Sequence, residues 1–223
     1  MNIFIEGNIG AGKSTLTQIL ENRFKDDCIA VLEPVDEWND LKNNDGSTLL
    51  ELFYGDLKKY SYLFQSVAFR TRIKKFNDHV EKGNYKFGFF ERSIYADRHC
   101  FAVNCYESKL MNDIEWTDYK AWFDWLEESF KLPEKITGFI YLKTDPKVVY
   151  KRIASRNRSE ESQISLDYLI TLDNKHDKMI NQMGIKHNVL VLDGDLDFKN
   201  DLNIQNDLVN KIKEFIKTCE SQY

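Results

Sequence analysis

The sequence is poor in proline and glycine, with 3 Pro and 10 Gly among 223 residues. This scarcity excludes collagen-like and low-complexity architectures. The cysteines are scattered at Cys28, Cys100, Cys105 and Cys219 and form no C-x-x-C pair, so zinc-ribbon spacing is absent and reduced thiols are expected. No run approaches the roughly 18 apolar residues of a membrane span, and no targeting signal is visible. We therefore expect a cytoplasmic protein that makes no membrane contact.

An excess of positive charge is also missing. Lys+Arg number 31 against 36 Asp+Glu, which gives a net charge of -5. A surface that coats nucleic acid requires the opposite sign, so a nucleic-acid polymer is not an expected partner. Hydrophobic residues make up 42% of the chain, enough for the core of one domain over residues 1–223.

Short apolar runs alternate with amphipathic stretches of helical length. The runs are Ile3–Ile5, Ile29–Leu32, Phe87–Phe90, Phe139–Leu142 and Val189–Leu192. Helical stretches include Lys13–Phe24 and Asp145–Ala154. Strands that are apolar on both faces and separated by helices indicate a parallel sheet covered on both sides. The sequence thus predicts an α/β fold with a doubly wound, five-stranded parallel sheet, which binds ligands at the carboxyl ends of its strands.

Two stretches are longer than a strand connection needs. Leu49–Glu81 and Tyr95–Leu132 each have room for one long helix or two shorter ones. The first predicts a wide buried face, formed by Leu63, Val67, Phe69, Ile73 and Phe76 at roughly helical spacing. The second contains Trp116, Trp122 and Trp125. Core packing is the expected role of these tryptophans, with a helix-to-helix dimer surface as the alternative.

A glycine-rich loop follows the first predicted strand. Gly7-Asn8-Ile9-Gly10-Ala11-Gly12-Lys13-Ser14 matches the P-loop pattern G-x-x-x-x-G-K-[ST]. Glycines let backbone N–H groups turn towards a polyphosphate, the lysine supplies a point charge, and the Ser14 hydroxyl can ligate Mg²⁺. These residues and the adjoining Thr15 are predicted to bind a nucleoside triphosphate.

A P-loop alone does not identify the reaction. Asn174-Lys175-His176-Asp177 matches the guanine-reading N-K-x-D string of GTPase switches. It follows leucines at helical spacing, however, and the D-x-x-G string of such switches is absent, so we interpret it as a solvated helix face. Neither Phe139–Leu142 nor Val189–Leu192 ends in a convincing Walker B pair of a motor ATPase. Phosphoryl transfer to a small acceptor remains.

Two constellations support phosphoryl transfer. Glu33 follows the second strand and Glu91-Arg92 ends the third, so all three side chains are expected beside the P-loop. Glu91 could hold Mg²⁺, and Arg92 could neutralise charge on the transferring group. A free hydroxyl gains about 10² to 10⁴ in rate from a general base such as Glu33, which favours an alcohol acceptor. A buried ion pair is the alternative role of these groups.

Three arginines are concentrated near the end of the helical stretch Asp145–Ala154. Arg152 and Arg156 share one helix face, and Arg158 lies just beyond them. Guanidinium groups suit phosphate oxygens, so residues of about 152–163 are predicted to form a lid over the triphosphate. The alternative is an exposed helix end paired with Glu160 and Glu161.

Motifs along nearly the whole chain resemble one family. They are Ile5-Glu6-Gly7-Asn8-Ile9, Glu33-Pro34-Val35, Phe64-Gln65, Glu91-Arg92-Ser93, the segment from Arg156 to Glu161, Leu192-Asp193 and Asp197-Phe198. The chain resembles the deoxyribonucleoside kinases of the deoxycytidine and deoxyguanosine kinase type. Tyr106-Glu107-Ser108 and Trp122–Trp125 are most similar to the deoxycytidine kinase branch.

The resemblance implies roles for the matching positions. Glu33 would be the general base on the 5′-hydroxyl of a deoxynucleoside, and Arg92 would steady that base and the phosphoryl group from ATP. Gln65 would bond the edge of the base, and Phe64 and Phe101 would pack on its two faces. Tyr54 and Glu161 would hold the 3′-hydroxyl of the sugar. The pocket would be completed by Val35, Trp38, Leu50 and Phe53. Leu196-Asp197-Phe198 would lie against adenine. A homodimer through long helices is implied as well.

One pair of residues bears on the choice of base. Arg72 and Asp97 match positions where the deoxycytidine and deoxypurine kinases carry an Arg–Asp pair. A buried pair of this kind rejects ligands that leave it half satisfied. The resemblance therefore implies deoxycytidine, deoxyadenosine or deoxyguanosine rather than thymidine. A nucleoside monophosphate kinase of the thymidylate kinase kind and a non-catalytic NTP-binding switch are the alternatives.

Overall fold

The computed structural model describes residues 1–156 and 164–221 and has a parallel sheet at its centre. The strands are β1 (Asn2–Glu6), β2 (Cys28–Val31), β3 (Phe87–Glu91), β4 (Gly138–Lys143) and β5 (Asn188–Asp193). Their spatial order is β2-β3-β1-β4-β5, and every pair is parallel. Each predicted apolar run lies in one of these strands, which confirms the predicted α/β class. Only Leu32 falls outside, after the end of β2.

Helices connect and cover the strands. They are α1 (Lys13–Phe24), α2 (Val35–Asp40), α3 (Leu49–Gly55), α4 (Leu57–Lys82), α5 (Ile94–Ala96), α6 (Val103–Glu107), α7 (Asp113–Ser129), α8 (Leu132–Lys135), α9 (Pro146–Arg156), α10 (Leu166–Met183) and α11 (Leu202–Glu220). A π-helical turn, Asp97–Ala102, joins α5 to α6. The first long stretch is two helices because Asp56 leaves the helical conformation and its carboxylate caps α4 at the Lys59 amide.

Alternating side chains divide the core between the two faces of the sheet. Ile3 and Ile5 of β1 point to one face, where they join a fully buried cluster with residues of α1 and α11. Phe4 points to the other face and packs with residues of α4, α7 and α10. This arrangement is what a parallel sheet with helices on both sides requires. The P-loop follows β1, the strand that lies between β3 and β4. Next to β1 the strand connections change direction across the sheet, and ligands of open α/β sheets bind at such a point.

Some predicted core residues are exposed. Leu63 is 47% exposed, although Val67, Phe69, Ile73 and Phe76 of the same helix are buried as predicted. Trp122 and Trp125 of α7 are 50% and 57% exposed, so the expectation of core packing is wrong for both. Trp116 is half-buried and packs against the core. The physical reason is that α7 buries only the face that carries Tyr119 and Phe123, and the two tryptophans lie off it.

Only the first part of the predicted lid, up to Arg156, lies within the described residues. α9 contains Arg152 and Arg156, whereas Arg158, Glu160 and Glu161 lie outside the described residues. Within residues 1–156 and 164–221, no helix combines the length and the apolar character that crossing a bilayer requires.

Candidate functional site

A cavity of about 1050 Å³ lies at the carboxyl edge of the sheet and collects residues that follow β1, β2, β3 and β5. Ligand pockets are commonly about 300–1,000 Å³, so this cavity has room for more than one small ligand. The predicted site residues that line it are Ile9, Gly10, Gly12, Lys13, Ser14, Thr15, Glu33, Val35, Trp38, Leu50, Phe53, Tyr54, Phe64, Gln65, Arg72, Glu91, Arg92, Asp97, Phe101, Arg152, Arg156, Leu196, Asp197 and Phe198.

The remaining predicted residues of the P-loop lie behind the cavity wall. Gly7, Asn8 and Ala11 are buried and do not line the cavity. The Asn8 side-chain Nδ2 donates to the Leu169 carbonyl at 2.9 Å, and its Oδ1 accepts from the Ile9 amide at 2.9 Å. Asn8 thus ties the loop to α10. Of the other predicted residues, Arg158 and Glu161 lie outside the described residues.

Glycine is required at two positions of the loop for conformation and for space. Gly10 and Gly12 have φ values of +75° and +103°, which side-chain-bearing residues rarely adopt. A Cβ on Gly10 would lie 2.9 Å from Ile153, and one on Gly12 would lie 2.8 Å from the Phe198 ring. The close approach of these neighbours explains how the loop turns tightly into the N-terminus of α1, where helix dipole and free amides favour an anion.

Lys13 stands at the floor of the cavity with only 4% of its surface exposed. Its Nζ donates to the Asn8 carbonyl at 2.9 Å. Burial, and secondarily the Arg92 cation, lowers the pKa of Lys13 to about 8, against the opposing charges of Glu33 and Glu91. A phosphate anion beside this amine would favour its charged form.

Ser14 and Glu91 present neighbouring oxygen atoms. The Ser14 hydroxyl donates to Glu91 Oε1 at 2.7 Å, and Glu91 Oε2 accepts from the Glu33 amide at 3.4 Å. No cluster of three or more His, Cys, Asp or Glu side chains suited to a metal ion occurs in the described part of the chain. Mg²⁺ does not need such a cluster, because it is usually held by one or two carboxylates, waters and substrate phosphates. A hydroxyl beside a carboxylate next to the P-loop fits that donor set.

Glu33 lies two residues beyond β2 and is held by two arginines. Its Oε1 accepts from Arg92 Nε at 2.8 Å and from Arg72 Nη2 at 3.2 Å. Within the described residues, its second oxygen, Oε2, accepts no hydrogen bond. Burial raises the pKa of Glu33, but Arg92, Arg72 and Lys13 outweigh burial and hold it well below its usual range. The carboxylate is therefore ionised at neutral pH, with one oxygen available to accept a proton.

Arg72 also pairs with Asp97, so it links two carboxylates. Its Nε donates to Asp97 Oδ2 at 2.8 Å, and its Nη2 donates to Asp97 Oδ1 at 3.2 Å. Both side chains are at least nine-tenths buried. The sequence paired Arg72 with Asp97 through the resemblance, but it did not indicate the bond from Arg72 to Glu33. Arg72 and Glu33 are 39 positions apart, and their contact depends on how α4 packs near the end of β2.

An aromatic group forms one wall of the cavity. The rings of Phe53 and Phe64 stack with centroids 4.3 Å apart, and Trp38 packs edge-on against Phe64 at 5.3 Å. Phe101 lines the same cavity and carries the Arg92 guanidinium over its ring at 4.6 Å. This wall provides the flat apolar surfaces on which a planar ring can pack.

Arg152 is occupied by backbone oxygens. Its Nη1 donates to the carbonyls of Gly194 at 2.7 Å and Ala11 at 3.2 Å, and its Nη2 contacts those of Asp195 and Leu196. The guanidinium thereby joins the P-loop to the segment after β5. Phe198 of that segment is 3% exposed and packs on the loop, whereas Leu196 is 36% exposed.

The structure corrects the interpretation of the N-K-x-D string. It lies in helix α10, as predicted, and not at a strand end. The face is not solvated at His176, which is fully buried, and Lys175 pairs with Glu107. His176 Nε2 lies 3.1 Å from Arg92 Nη1. A sequence signal existed, because His176 follows Leu172 by four residues and Leu169 by seven, which places all three on one helix face.

Sequence reasoning missed several cavity residues. They are Gln18, Leu32, Asp36, Ala68, Lys75, Ser155, Tyr168, Lys199 and Asn200. Most are polar residues on helices or loops, where no local pattern distinguishes a cavity wall from the solvent-exposed surface. Tyr168 belongs to α10 and packs in the same apolar cluster as Tyr54.

Comparisons with known proteins show the family of the chain. The profile of the family described as "Deoxynucleoside kinase" matches residues 3–217. The chain is 37% identical to the deoxycytidine kinase of Rattus norvegicus, over 97% of this chain and 91% of the relative. It is 38% identical to a probable deoxycytidine kinase of fowlpox virus, over 96% and 87%. It is 32% identical to the mitochondrial deoxyguanosine kinase of Xenopus laevis, over 95% and 88%.

Proposed function

Because the chain belongs to the deoxynucleoside kinase family and is therefore a phosphotransferase, we propose that it phosphorylates a deoxynucleoside in nucleotide salvage. The γ-phosphoryl group would come from ATP or another NTP. The acceptor would be the 5′-hydroxyl of deoxycytidine or of a deoxypurine nucleoside. The observation that carries this proposal is the ionised Glu33, which lines the same cavity as Lys13 and whose Oε2 accepts no hydrogen bond from any residue of 1–156 and 164–221. A carboxylate in this place suits an acceptor that must lose a proton, and an alcohol is such an acceptor.

In the proposed reaction, the 5′-oxygen forms a bond to the γ-phosphorus while the bond to the β-bridging oxygen breaks. Glu33 Oε2 accepts the hydroxyl proton. Arg92 uses Nε on Glu33 and Nη1 towards His176, and in the described part of the chain no hydrogen bond occupies its Nη2. This nitrogen is then available to the equatorial oxygens, where charge is spread in the transition state.

Lys13 and the residues around it are proposed to bind the donor. The P-loop from Gly7 to Thr15 would cradle the phosphates, and Leu196-Asp197-Phe198 would lie against adenine. Arg152 and Arg156 both line the cavity. Arg156 would face the triphosphate, and Arg152, whose guanidinium bonds backbone carbonyls, would hold the P-loop beside the segment after β5. Ser14 and Glu91 would hold Mg²⁺, which when bound neutralises charge on the β- and γ-phosphate oxygens.

The aromatic wall is proposed to bind the nucleoside. Phe64 and Phe101 would contact the faces of the base, and Gln65, 2% exposed, would bond its edge. Tyr54 would contact the sugar. Val35, Trp38, Leu50 and Phe53 would complete the apolar pocket, which they line together.

A panel of substrates tests the proposed function. We expect the purified protein with ATP and Mg²⁺ to phosphorylate deoxycytidine, deoxyadenosine or deoxyguanosine in a coupled ADP-release assay. We expect no transfer to the corresponding monophosphates, because the ionised carboxylate of Glu33 would repel their negatively charged phosphate oxygens at the acceptor position. Turnover with a monophosphate alone would favour a nucleoside monophosphate kinase. ATP binding without acceptor-dependent ADP release would favour a switch.

The Arg72–Asp97 pair yields a prediction about base choice. Replacing both residues, as Arg72→Met with Asp97→Ala, removes a buried pair that a thymine 5-methyl group would crowd. We expect kcat/KM for thymidine to rise relative to deoxycytidine by roughly 10-fold to 100-fold, the range of a few unpaired or crowded contacts. Because Arg72 also bonds Glu33, absolute turnover should fall for all nucleosides. An unchanged ratio of thymidine to deoxycytidine would place base choice elsewhere.

We also propose a homodimer. The support is the pair of exposed tryptophans on α7, Trp122 and Trp125, whose rings pack against each other at 5.6 Å. Exposed aromatic groups of this size commonly mark protein interfaces. Sedimentation velocity should give the mass of two chains, and Trp122→Glu with Trp125→Glu should give one. A monomeric wild-type protein at micromolar concentration would contradict the proposal.

We further propose a cytoplasmic location, in keeping with four free cysteines.

A further inference from the structure

His176 is a polar side chain that the fold buries completely. It lies in α10, on the face that packs against the core. A buried imidazole is costly unless both ring nitrogens are satisfied. Its Nδ1 lies 2.7 Å from the Leu172 carbonyl oxygen, and its Nε2 lies 3.1 Å from Arg92 Nη1.

These two partners determine the tautomer. A carbonyl oxygen only accepts, so Nδ1 must carry the proton and donate it. A guanidinium only donates, so Nε2 must be the unprotonated acceptor. Burial, and secondarily the Arg92 cation, lowers the pKa of His176 well below its ordinary value; Lys13 and Lys143 act in the same direction. The ring is thus neutral, with a lone pair directed at Arg92.

Arg92 is in a conformation that needs support. Its backbone φ is +62°, in the left-handed region that favours glycine. The backbone of the next residue is held in place, because the Ser93 amide and hydroxyl both donate to Glu6 Oε1, at 2.7 and 2.5 Å. The guanidinium lies over the Phe101 ring, between Glu33 at Nε and His176 at Nη1.

The two hydrogen-bond acceptors of Arg92 respond differently to the reaction. When Glu33 takes up the proton of the acceptor hydroxyl, it loses its charge and its bond to Arg92 weakens. His176 stays neutral, so its acceptor nitrogen is unaffected by that step. It can keep the guanidinium plane in place while phosphoryl charge develops.

We propose that His176 is a positioning residue, whose unprotonated Nε2 holds the Arg92 guanidinium in the orientation that phosphoryl transfer requires. The inference rests on the proposed function, because it assigns Arg92 to the transferring group. His176 itself is fully buried and does not line the cavity.

Three replacements separate this role from simple core packing. His176→Gln can place its amide oxygen near the position of Nε2, so it keeps an acceptor for Arg92. His176→Asn is equally polar but too short to reach Arg92, and His176→Leu has no acceptor. We expect Asn and Leu to lower kcat by roughly 10-fold to 100-fold, the effect of a misplacement of about 1 Å. The deoxynucleoside KM should change little, and Gln should restore most of kcat.

A matched control comes from the same helix. Met179 is buried on α10 and contacts Cys100 rather than Arg92. Met179→Ala should lower the thermal midpoint and leave kcat near that of the wild type, which separates lost stability from lost positioning. If His176→Leu does not fold, the kcat values of His176→Gln and His176→Asn still test the positioning role. Both variants replace the imidazole by an amide, and they differ only in whether the side chain can reach Arg92.

An NMR measurement tests the bond without activity. Long-range ¹H–¹⁵N correlation spectra of histidine-labelled protein should show a neutral His176 with the proton on Nδ1 across neutral pH, assigned by its loss in His176→Gln. The Nε2-protonated tautomer, a charged ring, or equal kcat for the Asn and Gln variants would overturn the inference. A wild-type protein that turns over no deoxynucleoside would instead overturn the proposed function, and the positioning role with it.

Discussion

Replacing Glu33 by glutamine is expected to lower kcat by about 10² or more while nucleoside binding persists. The amide oxygen can still accept hydrogen bonds from Arg92 and Arg72, so these contacts are kept although the ion pairs are lost. What it loses is the second carboxylate oxygen, Oε2, as a proton acceptor. Steady-state kinetics with deoxycytidine and a separate titration of nucleoside binding by calorimetry measure the two effects.

The control for this change is an exposed carboxylate nearby. Glu37 lies on α2, four residues beyond Glu33, and is exposed. Glu37→Gln makes the same chemical change outside the cavity and should leave kcat unchanged. A normal kcat for Glu33→Gln would refute the assignment of Glu33 as general base. A loss of nucleoside affinity equal to the loss of kcat/KM would make it a binding residue instead.

Removing the P-loop lysine should have the other large effect. Lys13→Ala deletes the cationic side chain of the P-loop. We expect kcat/KM for ATP to fall by about 10² to 10³, as for other groups that stabilise developing charge. The same substitution removes the 2.9 Å bond from Nζ to the Asn8 carbonyl, so the loop itself loses one tie. Kinetics with varied ATP at saturating deoxynucleoside measure the loss.

An exposed lysine provides the comparison. Lys213 lies on the outer face of α11, and Lys213→Ala should not alter ATP use. Circular dichroism must show that Lys13→Ala is folded, and deoxynucleoside binding should be close to that of the wild type. Turnover of Lys13→Ala at the normal rate would remove this lysine from the mechanism.

Local patterns predicted the elements well where the chain is continuously apolar. The runs around Phe4, Phe89 and Ile140 are buried on both faces, so their apolar character is uninterrupted and each becomes a strand. The helix that begins at Lys13 was predicted with its observed ends, because the P-loop pattern sets its start. The order β2-β3-β1-β4-β5 was not predicted, since periodicity within one segment carries no information about its neighbours.

Amphipathic helices were harder to interpret at single positions. Leu63 and Trp125 have the apolar character of core residues, and both are exposed. Hydrophobic type shows that a side chain can be buried, but another element must cover it, and periodicity cannot say whether one does. His176 shows the converse case, in which a polar residue on an apolar face is buried because Arg92 satisfies it.

The amino-acid order by itself determined the P-loop and the two strands after which Glu33 and Arg92 follow. It therefore determined the kind of chemistry, because these features depend on neighbours along the chain. Tertiary structure alone decided that Arg72 reaches Glu33 and that His176 reaches Arg92. Those partners are 39 and 84 residues apart, and their contacts arise only when helices α4 and α10 pack against the same sheet edge. Close-packed side chains from distant segments orient a reacting group, and no local pattern records which segments will meet.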